Sequence, residues 1–137
     1  MLVLVPQRVI QEMVDHAFEE APLECCGLLF GRGKVIEGIV RATNARKSRT
    51  EFEIPPAELF DFVRDLRRRS REFVGIYHSH TQTDAVPSEK DAAEFHYPEV
   101  TYWIVATISG TADVRCHAWQ EGGFRRVPFK VMGRETN

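Results

Sequence analysis

Apolar residues at Val9, Ile10, Met13, Val14, Ala17 and Phe18 recur at helical spacing. They predict an amphipathic helix opened by Pro6 and stopped at Pro22. Residues 25–31 form a continuous apolar run, which suits a strand buried on both faces. Residues 35–40 and 51–54 read as further strands, with a polar loop over 44–49 between them. Pro55-Pro56 opens a second helix whose inner face is Leu59, Phe62, Val63 and Leu66. A short apolar strand follows at 73–78, then a loop rich in Thr, Asp and Pro at 81–87. Ser88-Glu89-Lys90-Asp91 starts a third, short helix. Residues 102–107, 114–120 and 124–131 read as strands, and 133–137 as a frayed tail. This order predicts an α/β fold, a mixed sheet flanked by helices, in a single domain over residues 1–137.

The 137 residues are 43% hydrophobic, enough for one sound core and hardly for two. Eighteen basic against 20 acidic residues give a net charge of −2, which does not suit a nucleic-acid or anionic-membrane binder. The densest basic run, Arg64 to Arg71, is interrupted by Asp65 and flanked by Asp61 and Glu72, so it reads as a solvated helix face. No apolar run approaches the roughly 20 residues that span a bilayer, and Met1 to Pro6 is too short for a signal peptide. Three cysteines, two of them adjacent at Cys25 and Cys26, do not form a secreted disulfide pattern. A reducing, cytoplasmic setting is expected.

Chemistry concentrates in the segment from His78 to Asp91. On a strand, His78 and His80 point to the same face, with Cα atoms about 6.6 Å apart. Two imidazoles at that spacing can converge on one metal ion. Asp91, in the first turn of the next helix, is placed to supply a third ligand and leave a fourth position open, as catalytic zinc sites do. Ser88 and Asp91 also fit a helix N-cap without any metal. The two roles of Asp91 are compatible.

His78-Ser79-His80, then ten residues, then Asp91, with Ser88 three before it, resembles the JAMM (MPN+) metalloprotease signature. Leu23-Glu24-Cys25-Cys26-Gly27 and the apolar run to Gly31 resemble that family's early glutamate-bearing strand. Phe52-Glu53-Ile54-Pro55 resembles the approach to its second helix. One departure is Thr81, where many members carry Pro after the second histidine.

The resemblance implies the cytidine-deaminase-like MPN architecture and a Zn2+-dependent peptidase. His78, His80 and Asp91 would hold the zinc. Glu24 would be the general base, and Ser88 would donate to the oxyanion. Ser79 points away from the ligands and is expected to be structural. The implied partner is a ubiquitin-like or sulfur-carrier protein with a glycine-ended tail, cleaved at its C-terminal amide. A compact chain of this kind resembles the bacterial branch.

Two rival readings remain. One is a non-catalytic MPN module that binds proteins. The other is a thiol enzyme using Cys25 or Cys26, which the preceding Glu24 disfavours. His16, His96 and His117 have no ligand-like neighbours and are expected to be surface or satisfied residues.

Overall fold

Alternation along the central strands sorts side chains onto two faces, and each face takes one helix. The structure, a computed structural model, describes residues 1–94 and 97–133. His96 and residues 134–137 of the expected frayed tail lie outside them. The elements are β1 (Val3–Pro6), α1 (Gln7–Glu20), β2 (Cys26–Arg32), β3 (Val35–Ala42), α2 (Pro56–Arg68), β4 (Glu72–His80), α3 (Glu89–Glu94), β5 (Thr101–Ala106), β6 (Asp113–Gln120), β7 (Gly123–Val127) and β8 (Phe129–Met132). The eight strands form one sheet in the order β7-β6-β5-β4-β2-β3-β1-β8. β4 and β5 run parallel, as do β1 with β3 and β1 with β8; the remaining pairs are antiparallel. The expected mixed α/β sheet is therefore what the chain forms.

On one face, Val9, Met13 and Ala17 of α1 pack with Leu29, Tyr77, Trp103 and Val105. On the other, Phe62 and Leu66 of α2 pack with Leu28, Ile76, Tyr102 and Ile104. Neighbours such as Ile76 and Tyr77 thus serve opposite cores, as a period of two requires. Phe18, expected on the apolar stripe of α1, is 42% exposed, while Val9, Met13 and Ala17 of the stripe are buried. The basic run sits on α2 and beyond as foreseen, with Arg64 paired to Asp61 and Arg71 to Glu37. Among the described residues no helix is long and apolar enough to cross a membrane.

Three departures from the expected elements have physical causes. Residues 51–54 alternate like a strand but form none. Their backbone is taken by the Asn44–Ala45 turn: Ala45 N–H donates to the Glu53 carbonyl, and Asn44 Nδ2 to that of Glu51. The single strand expected over 124–131 divides at Pro128, which cannot extend a ladder. The third is β1, a four-residue strand ending at Pro6 immediately before α1. β7 and β8 lie at opposite ends of the strand order although one residue joins them. The sheet must therefore curl until its two edges approach each other.

His16 of α1 is buried and its Nδ1 lies 2.7 Å from the Tyr77 hydroxyl, so it is a satisfied core histidine. Tyr77 in turn lies flat over β2, where a Cβ on Gly27 would come within 2.2 Å of its ring. Burial, assisted by Arg41, holds the His16 pKa below its ordinary value of 6.5. The unfolded chain therefore binds this proton first. The stability from neutral His16 is full above pH 6.5 and is lost as the pH falls through that value towards the lower folded-state pKa. We expect the melting temperature of the wild type to fall more steeply below pH 6.5 than that of His16→Asn, which has no such titration. A gap between the two that does not change with pH would refute this.

Candidate active site

The site lies at the C-terminal end of the parallel pair β4–β5, where open α/β sheets commonly place ligands. His78 and His80 are the last inward residues of β4, on the α2 face with Ile76. β2 runs antiparallel to β4 and pairs Cys26 with His78, so the chain entering β2 brings Glu24 to the same end. Ser79 points to the other face, and its Oγ accepts the Cys25 N–H at 2.8 Å. The structural role expected for Ser79 is thus to hold the approach to β2 at Cys25, the residue next to Glu24.

Glu24, His78 and His80 are all buried, and each places a ligand atom within 4.8 Å of the others. Asp91 faces both imidazoles, with Oδ2 3.1 Å from His80 Nε2 and Oδ1 3.5 Å from His78 Nε2. Asp91 is fixed by the start of α3. Its Oδ2 accepts the Ser88 N–H at 2.8 Å, and Ser88 Oγ accepts the Asp91 N–H at 3.0 Å. This reciprocal cap leaves the Ser88 hydroxyl proton free, and Ser88 is exposed to an incoming substrate. Asp91 therefore caps the helix and faces the histidines at once.

Three buried polar atoms of the cluster make no hydrogen bond among the described residues: Glu24 Oε1 and both ring nitrogens of His78. Such atoms are costly to bury unpaired. Two imidazoles and a carboxylate converging on one point are the donor set of a zinc site, and the residues present fit such an ion. Burial pushes the Glu24 carboxyl up to about 8, with His80 opposing. Burial acts the same way on Asp91, but the facing imidazoles of His78 and His80 outweigh it and hold that carboxyl well below the usual range. Two carboxylates in one site are thus driven apart, one anionic and one ready to carry a proton.

Thr81, the residue standing where Pro is common, has its own use. Its hydroxyl is within reach of the Pro22 and Arg49 carbonyls, at 3.0 and 3.3 Å, and so ties the end of β4 to the segments flanking the site. The surroundings of Cys25 and Cys26 disfavour a thiolate. Both are buried, and burial pushes the Cys25 thiol up to about 11 and Cys26 higher still. His117 is buried and satisfied, with Nδ1 3.3 Å from the Tyr102 carbonyl oxygen. Phe52 was not singled out as a site residue, yet its ring stacks on His78 with centroids 4.4 Å apart. Along the chain it stands out only within Phe52-Glu53-Ile54-Pro55, the approach to the second helix, and an apolar residue there fits core equally well.

Residues 6–121 match the family described as prokaryotic homologs of the JAB domain. The chain belongs to this family. The JAMM signature read at His78, His80 and Asp91 is thereby placed in a JAB domain. A CysO-cysteine peptidase from Mycobacterium tuberculosis is 32% identical over 127 residues, covering 90% of this chain and 87% of its own. A probable TtuB-protein conjugate cleaving protease from Thermus thermophilus is 32% identical, covering 89% of this chain and 79% of its own. A desampylase from Pyrococcus furiosus is 29% identical over 78% and 75% of the two chains. Among solved structures, a protein from Desulfitobacterium hafniense superposes on this JAB domain with a TM-score of 0.87 at 26% identity, covering 98% of this chain and 94% of its own.

Proposed function

We propose that this JAB domain is a zinc-dependent peptidase of the reducing cytosol, cleaving the amide bond at the glycine-ended C-terminal tail of a ubiquitin-like or sulfur-carrier protein. The reading is carried by one observation: Glu24, His78 and His80 converge in a buried cluster with unpaired polar atoms, faced by Asp91. The relatives named for peptidase and conjugate-cleaving activities support the substrate class.

His78, His80 and Asp91 would hold the zinc, since both Asp91 oxygens face the imidazole nitrogens. A zinc ion held there supplies the Lewis acidity that makes water nucleophilic near neutral pH. Glu24 takes the proton of the attacking water on its unpaired Oε1 and returns it to the leaving amine. Ser88 donates its free hydroxyl proton to the substrate oxygen as negative charge develops there. Beside Asp91 opens a cavity of about 320 Å³ lined both by apolar and aromatic side chains, Phe52, Ile54 and Tyr102 among them, and by the charged Arg46, Glu51 and Lys90, a mixed bed for an extended tail.

Ser88→Ala should lower kcat by about 10²–10³. It also removes the cap at α3 and about 1 kcal/mol of stability. The split between kcat and melting temperature checks both effects. If kcat is unchanged, Ser88 serves only as a cap.

The deciding experiment offers the purified protein a glycine-tailed carrier bearing a C-terminal amino-acid adduct and follows release by mass spectrometry. Release should stop with a zinc chelator, return on adding zinc, and survive thiol alkylation of the folded protein. A chain that binds no zinc even in excess metal is better understood as a protein-binding module.

A further inference from the structure

The two histidines of the cluster are held in different ways. His80 Nδ1 lies 2.7 Å from the Asp84 carbonyl oxygen, so its N–H donates there and Nε2 is left facing Asp91. A hydrogen bond of this kind is how ligand imidazoles are ordinarily oriented. His78 is fully buried, and among the described residues neither of its ring nitrogens has a hydrogen-bond partner. What meets its ring is the flat face of Phe52, with centroids 4.4 Å apart and planes within 19°. Tyr102 at 5.1 Å and His80 at 4.7 Å close the sides. We infer that Phe52 is a positioning residue for His78, its stacked ring replacing the missing hydrogen bond and coupling the metal site to the loop over residues 44–54.

That loop is fastened to the rest of the cluster. Asn44 Nδ2 donates to the Glu24 carbonyl at 3.0 Å, and Glu24 N–H donates to the Ser48 carbonyl at 2.8 Å. Thr81 Oγ1 reaches the Arg49 carbonyl, one residue past His80. Glu51 pairs with Lys90 at 3.0 Å, next to Asp91. The loop has no strand or helix of its own, so these contacts and the Phe52 ring locate it. A shift of the loop would unseat His78 and the Glu24 backbone together. Ligand geometry then becomes a property of the loop as well as of β4, and anything that lodges in the adjoining cavity against Phe52 acts on the metal site through it.

The inference rests on the reading of the cluster as a zinc site, and its test can fail separately. Zinc affinity is measured by competition with a chromophoric chelator, beside the melting temperature of the metal-free chain, for the wild type, Phe52→Leu, Phe52→Met and Phe52→Tyr. Leucine and methionine fill the space without a flat face, and methionine adapts to irregular gaps if leucine does not fold. The folded leucine or methionine variant should bind zinc about tenfold more weakly, or worse, with its metal-free melting temperature little changed. Phe52→Tyr, which keeps the ring, should retain wild-type affinity. Wild-type affinity in Phe52→Leu and Phe52→Met, or a weakening that tracks loss of fold and is shared by Phe52→Tyr, overturns the inference. A wild type that binds no zinc overturns the proposed function itself, and the inference with it.

Discussion

Asp91→Ala leaves the purified chain with little or no zinc and brings amide hydrolysis to background. The side chain faces both His78 and His80 and supplies the negative charge among the expected ligands. Two neutral imidazoles remain, one short of the three protein ligands of a catalytic zinc site. The substitution also removes the acceptor for the Ser88 N–H and loosens the turn that presents the Ser88 hydroxyl. Loss of that half of the cap costs about 1 kcal/mol, too little to unfold a domain of ordinary stability. Metal content per chain, measured beside the melting temperature, separates a lost ligand from a lost fold. A variant that still carries about one zinc per chain would remove Asp91 from the ligand set.

Glu24→Gln should keep the zinc and lower kcat by about 10²–10⁴, the range expected for a positioned general base. Glutamine retains the shape and the oxygen but cannot carry the proton. The experiment also divides the labour between the two carboxylates, since Glu24 lies close enough to both histidines to be a ligand in its own right. A ligating Glu24 would make Glu24→Gln lose metal as Asp91→Ala does. Full activity in Glu24→Gln would end the general-base assignment.

The sequence showed best what depends on neighbours along the chain. His78, His80 and Asp91 announce themselves because strand alternation and a short loop bring them together within 14 residues. The Ser88–Asp91 cap is local for the same reason, and the structure shows both of its hydrogen bonds. Glu24 is different: its approach depends on the pairing of Cys26 with His78 across two strands, and only the family resemblance pointed to it. Phe52 was least legible. Its alternation with Ile54 reflects packing on the α2 side of the sheet and not a ladder, so periodicity suggested a strand where there is a brace. β1 was missed because its apolar residues run straight into Pro6 and the first helix, and because its partners, β3 and β8, lie far along the chain.

The place of β1 between those two partners bears on how the protein is made. Residues 3–6 leave the ribosome well before residues 129–132, which pair with them one for one. At about 5–20 residues per second, some 6–25 seconds separate the two strands during synthesis. Glu24, His78, His80 and Asp91 are all translated within that interval. Until β8 arrives, β1 presents an open row of backbone donors and acceptors, a template on which a second nascent chain can dock. Crowding of ribosomes on one message is therefore the circumstance in which this fold is most exposed to exchanging its last strand with a neighbour.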